Sequence, residues 1–170
     1  MPEEPLAYFI TFSCYGNWMH GDDRGSVDRG HNRPGTPVLP PNAVLLNKRH
    51  RSLKAPPYCL DRDRRKIVLT AIREIAERKQ WALFALHVRT NHVHIIVRAN
   101  AVIERIMNDC KTAASRWLNN AFPDESNRPH WTRHGSTIYL WSDEQMAEKI
   151  DYVLNGQGQP LERYPEVETI

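Results

Sequence analysis

The chain has 170 residues, 41% of them hydrophobic, a net charge of +3 and a mean hydropathy of -0.61. That length suits one domain with a core of its own, and no apolar run approaches the roughly 20 residues of a membrane-spanning helix. The charge alone is too small to imply nucleic-acid binding, the acidic start MPEEPLAYF lacks a signal-peptide pattern, and three cysteines without paired spacing (Cys14, Cys59, Cys110) read as reduced thiols of a cytoplasmic protein.

Residues 6–16, LAYFITFSCYG, are β-branched and aromatic, end at a glycine and read as a first strand. Residues 16–57 follow as a long loop dense in glycine and proline. A loop of that length in a small domain is either functional or disordered, and its stretch NAVLLNKRH (42–50) reads as a short element. Basic residues gather here: Arg24, Arg29 and Arg33, then Lys48, Arg49 and Arg51, continuing to Lys66. Each cluster alone suits a solvated basic face. Together, with Tyr15, Trp18 and Tyr58 near them in sequence, they favour contacts to nucleic-acid phosphates and bases.

Residues 61–79 form a helix, with Ile67, Val68, Ala71, Ile72, Ile75 and Ala76 on one stripe and Asp61 as N-cap. WALFALHV (81–88) and HVHIIVR (92–98) are two strands, joined closely enough for a hairpin. Residues 101–122 form a second helix, closed by Pro123, with Ile103, Ile106, Met107, Cys110, Ala114 and Trp117 inward. STIYLW (136–141) is a further strand. Ser142 and Gln145 then make a capping box for a last helix that stops near Gly156. The series β-α-β-β-α-β predicts one α+β domain over residues 1–170: a ferredoxin-like, RRM-like antiparallel sheet with helices on one face and an added C-terminal helix bearing a tyrosine. The tail 159–170 is expected to be flexible or to plug a site.

His92 and His94 share one face of their strand, because side chains alternate, while Val93, Ile95 and Val97 take the other and belong on the helix-covered core. The histidines then face the more open side. Two neutral imidazoles at i and i+2 can hold one divalent cation and leave positions for a third ligand and a substrate oxygen. They also suit a half-exposed pair on a solvated sheet. His87, on the preceding strand, reads as structural. Tyr152, late in the last helix, is either core filler between Ile150 and Val153 or a nucleophile. A phenol near such a cation can attack a polarised phosphodiester and form a phosphotyrosine. Lys111 and Arg116 on the second helix are phosphate contacts or solvated cations. Arg133 and His134 sit beside Gly135 in a basic loop that can approach a backbone closely. Tyr15, Trp18 and Trp131 can stack bases or anchor loops.

His92-Val93-His94 within NHVHIIV, followed by a helix and a late-helix tyrosine, resembles the HUH single-tyrosine transposases of bacterial insertion sequences. More closely it resembles the REP-associated tyrosine transposases, as do the segments TFSCYGNWMHGDDRGSVDRGHNRPGTP, MNDCKTAASRWLN and HWTRHGSTIYLW. The resemblance spans residues 7–158. It implies that His92, His94 and a side chain of the tyrosine helix hold Mg²⁺ or Mn²⁺. Tyr152 would cut single-stranded DNA beside imperfect hairpins, leaving a 5′-phosphotyrosine and a free 3′-OH, and a 3′-OH would reverse the step without ATP. Insertion-sequence relatives typically carry a glutamine four residues after the tyrosine, and REP-associated relatives often an asparagine. Here that position is Gly156. Asn155 lies roughly 60° from Tyr152 around the helix axis and Gln157 roughly 140°. With the helix ending at Gly156, the longer arm makes Gln157 the expected third ligand and Asn155 its substitute. The resemblance further implies a bacterial, cytoplasmic, nucleoid-associated protein, with a monomer favoured over a homodimer by the long 16–57 segment.

Three other readings stay open. One is a single-stranded nucleic-acid-binding module, although no RNP1-type aromatic run occurs on the strands. Another is a domesticated, inactive transposase, which the glycine at position 156 keeps in play. The third is a metal hydrolase whose nucleophile is water rather than Tyr152.

Overall fold

The computed structural model describes residues 4–17 and 43–166, without the side chains of residues 45, 46, 49 and 50. In chain order these residues form β1 (Ala7–Cys14), α1 (Ala43–Arg51), α2 (Arg62–Arg78), β2 (Ala82–Val88), β3 (His92–Arg98), α3 (Ile103–Ala121), a 3-10 turn (Pro123–Glu125), β4 (Trp131–Leu140), α4 (Asp143–Asn155) and β5 (Glu162–Tyr164). The short element expected at 42–50 is α1. Arg24, Arg29, Arg33 and Trp18 lie outside the described residues.

The strands make one antiparallel sheet in the order β4-β1-β3-β2-β5. The first four in that order are the ferredoxin-like arrangement. β1 is an interior strand covered on both sides, which explains its nearly unbroken apolar run. α2 and α3 pack together on one face, over Ile10, Phe12, Leu86, Ile95 and Val97. α4 crosses the other face on a smaller apolar patch of Phe9, Ala85, Ile96, Val153 and Leu154. Each fully buried aliphatic side chain contributes about 1.5–3 kcal/mol, so the α2/α3 face supplies most of the stability.

Local signals set the helix ends. Asp61 caps α2 by accepting from the Arg64 N–H at 2.9 Å. Ser142 accepts from the Gln145 N–H at 3.2 Å, and Gln145 Oε1 accepts from the Trp141 N–H at 2.8 Å. These fix where α4 starts, and hence where its last turn falls over the sheet.

Three expectations are corrected. Trp117 is not inward but 38% exposed. An ideal helix drifts about 20° per heptad, so by the end of α3 the inward seat has passed to Leu118. Arg133 and His134 are not in a loop. β4 begins at Trp131 and carries both, continuing its pairing with β1 through a bulge between Phe12 and Cys14. Gly135 permits this: a Cβ there would sit 2.4 Å from the Thr11 carbonyl oxygen and 2.6 Å from Met107 Sδ. The tail is not loose up to Tyr164. β5 pairs with β2, Glu162 bonds Arg65, and the Arg73 guanidinium lies 4.4 Å from the centre of the Tyr164 ring.

Candidate active site

The site forms where the last turn of α4 passes over β3. His92 and His94 point to the α4 face as alternation requires, with ring centres 4.7 Å apart. That face is less open than expected. α4 covers its upper part and leaves His94 only 3% exposed. Burial is the main cause that holds the His94 pKa down, at about 3, with His92 adding to it. Burial therefore favours the neutral His94 ring.

The last turn of α4 explains the neighbours of His94. Met146, Ile150, Val153 and Leu154 face the sheet, and Tyr152, one step around, stays 43% exposed. That exposure removes the core-filler reading. The Tyr152 ring lies 5.8 Å from the His94 ring and 6.1 Å, edge-on, from Phe9. Lys149, one turn earlier, places Nζ 5.7 Å from the centre of the Tyr152 ring.

Gly156 closes the helix by donating its N–H to the Tyr152 carbonyl at 3.0 Å. A Cβ at Gly156 would lie 2.9 Å from that carbonyl oxygen and 3.2 Å from the Tyr152 ring, so the turn is tight at this point. It swings Gln157 back over the sheet. The Gln157 amide donates Nε2–H to the Tyr152 carbonyl at 3.2 Å, which turns Oε1 toward His94 Nε2 at 3.1 Å. Asn155 instead donates to Asp151 at 2.8 Å. Of the two side chains weighed as third ligand, Gln157 is the one beside the histidines.

Thr11, which no local signal marks, is the other neighbour. It sits opposite His94 in the β1–β3 register, and its hydroxyl lies 2.7 Å from His94 Nδ1. A hydroxyl both donates and accepts. With no cation, it can donate to Nδ1 while Nε2–H donates to Gln157. With a cation at Nε2, it can rotate and accept from Nδ1–H, the kind of outer partner that fixes a ligating histidine. His92 Nδ1 is engaged by Asn91 Oδ1 at 2.7 Å.

Two imidazoles and an amide oxygen fit a divalent cation with open positions. Among the described residues no group of three His, Cys, Asp or Glu comes together; the side chain that meets His94 is the Gln157 amide.

Other candidates fall into place around this centre. His87 is fully buried. Its Nδ1–H donates to the Val153 carbonyl at 2.7 Å, and its Nε2 accepts from the Leu161 N–H at 3.1 Å. It is a neutral pin between β2, α4 and the tail. Lys111, weighed as a phosphate contact or solvated cation, is turned inward. Its ammonium donates to the carbonyls of Thr132 at 2.9 Å and His134 at 3.2 Å, and burial lowers its pKa to about 8. Lys48, Arg51, Arg116, Arg133 and His134 are exposed; the Arg49 side chain lies outside the described residues. Tyr15 hydrogen-bonds the Lys54 N–H through its hydroxyl at 2.8 Å, a loop anchor. Burial raises the thiols of Cys14 and Cys110, the latter to about 12, so neither is a ready nucleophile. No helix among the described residues is long and apolar enough to cross a membrane.

The sequence profile of the family described as "Transposase IS200 like" matches residues 51–154, which span α2 through the last turn of α4 and include both histidines and Tyr152. A comparison with the curated proteins finds no match. Among solved structures, the chain is similar to a REP-associated tyrosine transposase bound to a REP hairpin, at 10% identity and a TM-score of 0.49, covering 90% of this chain and 67% of that one. It is also similar to a putative transposase from Deinococcus radiodurans R1, at 17% identity and a TM-score of 0.46, covering 89% of this chain and 90% of that one.

Proposed function

The chain belongs to the IS200-like transposase family, and from that premise we propose that it cuts and rejoins single-stranded DNA beside hairpins, with Tyr152 as nucleophile. One observation carries this reading: an exposed phenol on the last turn of α4 stands next to a buried, neutral His94 that Gln157 also faces. A structural tyrosine on an amphipathic helix would turn inward, and this one does not.

The Tyr152 hydroxyl oxygen attacks the scissile phosphorus and loses its proton. The bond from phosphorus to the 3′ oxygen breaks, and that oxygen leaves as a 3′-OH. A 5′-phosphotyrosine remains on the protein. A phosphoester is exchanged for a phosphoester, so the reverse attack by a 3′-OH releases Tyr152 without an outside energy source. His92, His94 and Gln157 would hold a divalent cation, Mg²⁺ or Mn²⁺, whose chemistry here is to polarise the scissile phosphate. Gln157 has a second task, because its bond to the Tyr152 carbonyl ties the turn carrying the nucleophile to the histidine pair. Thr11 and Asn91 orient the two rings. Phe9 gives the Tyr152 ring an apolar wall and limits its rotation. The exposed cations Lys48, Arg51, Arg116 and Arg133 supply phosphate contacts of the kind that dominate DNA affinity. We read the protein as a monomer that acts with its own tyrosine, at the bacterial nucleoid.

The test is incubation with Mn²⁺ and end-labelled single-stranded oligonucleotides carrying hairpins from beside its own gene, followed by a denaturing gel. A slow-migrating protein–DNA adduct is expected, lost in Tyr152→Phe and strongly reduced in His94→Ala. Cleavage that persists in Tyr152→Phe with no adduct would sink the tyrosine chemistry in favour of an activated water. Tight hairpin binding without cleavage in any divalent metal would reduce the protein to a binding module.

A further inference from the structure

A groove of about 560 Å³ runs between the outer side of α3 and the start of β4, lined by Thr112, Ser115, Arg116, Asn119, Asn120 and Trp131. Its volume lies within the range of small-molecule sites, roughly 300–1,000 Å³. We propose that it takes one unpaired nucleobase of the DNA strand that Tyr152 cuts, an inference that rests on the DNA reading above.

The lining has the chemistry of base recognition. It offers two carboxamides, two hydroxyls, one guanidinium and an indole, and no carboxylate. A carboxamide reads both a donor and an acceptor on a base edge. Asn119 Oδ1 is buried and has no hydrogen-bond partner. With its side chain turned toward the groove that oxygen accepts an N–H, which the exocyclic amino groups of adenine, cytosine and guanine supply and a phosphate oxygen does not. Lys111 also borders the groove, but its ammonium is spent on the carbonyls of β4. That leaves Arg116 as the lining cation, suited to the phosphate of the same nucleotide.

The indole is a rigid wall. Trp131 Nε1 donates to the Lys111 carbonyl at 3.1 Å and to Ser115 Oγ at 2.9 Å, and the ring meets Phe12 edge-on at 5.0 Å. An aromatic face held in this way is a stacking platform.

Position links the groove to the chemistry. Trp131 is opposite Cys14 on one side of β1, and His92 is opposite Ser13 on the other. The groove and the histidine pair therefore share one end of the sheet, two strand spacings or about 10 Å apart along it, on opposite faces. A strand leaving Tyr152 around that end reaches the groove within a few nucleotides, each adding ~3.4 Å when stacked.

The experiment uses the full chain and a labelled hairpin oligonucleotide with a single-stranded flank, made abasic at one flank position at a time. Binding is read by fluorescence anisotropy. For the wild type, one position should stand out, with affinity falling about tenfold when its base is removed. In Asn119→Ala that position should become indifferent to base removal, while the Tyr152 adduct still forms at saturating oligonucleotide. Arg116→Ala should weaken binding to all oligonucleotides and lower the salt slope by about one. Equal affinities across all abasic positions in the wild type would overturn the proposal. So would an Asn119→Ala variant that keeps the same position-specific loss. If position-specific loss depends on Asn119 but no adduct ever forms, the groove stands and the tyrosine chemistry falls.

Discussion

The two faces of this sheet are built from the same strands and put to opposite uses. β3 sends Val93, Ile95 and Val97 to one side, where α2 and α3 bury them completely. It sends His92, His94 and Ile96 to the other, where α4 covers Ile96 and then stops. The first face is sealed and apolar. The second ends in a polar cluster that includes Thr11, His94, Gln157 and an exposed Tyr152. The difference teaches that where the covering helix ends, polar side chains gather on the same strand that is sealed on its other side. The cluster keeps its shape because the sealed face supplies the stability.

The strongest way to break that contrast is to hollow the sealed face. Ile95→Ala should cost about 2–5 kcal/mol, since it removes a fully buried side chain and leaves a cavity. Tyr152→Phe on the other face should stay within about 0.5 kcal/mol of wild type. Urea midpoints measure both. A small loss for Ile95→Ala, or a large one for Tyr152→Phe, would reverse the assignment of the two faces.

Acid should act next, on buried histidines of both faces. The pKa values of His87 and His94 are lowered mainly by burial, that of His94 to about 3, and burial lowers His130 as well, under Tyr58. Below about pH 6.5 the unfolded chain takes up these protons and the folded protein does not. Stability is thus complete above that pH and falls as pH drops, by roughly 1.4 kcal/mol per pH unit from His94, with His87 and His130 adding in the same direction. Denaturation without divalent cations at pH 7.5, 6 and 5 checks this. A flat profile would mean that the three histidines are wet.

A small change in stability with a large change in cation affinity should come from Thr11→Val. The shape is kept and only the partner of His94 Nδ1 is lost. Unfolding should shift by about 1 kcal/mol, while Mn²⁺ affinity by calorimetry falls about 10- to 100-fold, and Thr11→Ser should restore it. Unchanged affinity would show that the register partner of His94 does not orient it.

Much of this was legible in local sequence, because local physics wrote it. Two-residue alternation put His92 and His94 on one face and Val93, Ile95 and Val97 on the other. Helical periodicity marked the buried stripe of α2, and Asp61 and Ser142 marked helix starts through bonds within one turn. The order of elements then implied the ferredoxin-like sheet, and the quoted segments implied the transposase family that the profile match bears out.

Only the tertiary structure decided the rest, because it depends on partners far away in the chain. Thr11 meets His94 through strand register across 83 residues. Lys111 turns inward because bare carbonyls of β4 wait there. β5 exists because β2 offers an unpaired edge and Arg65 a charge for Glu162. Gln157 rather than Asn155 stands at the histidines because Gly156 ends the helix against the Tyr152 carbonyl and reverses the chain. Periodicity describes a residue while its helix lasts. Past the last turn, packing against the sheet places the side chain.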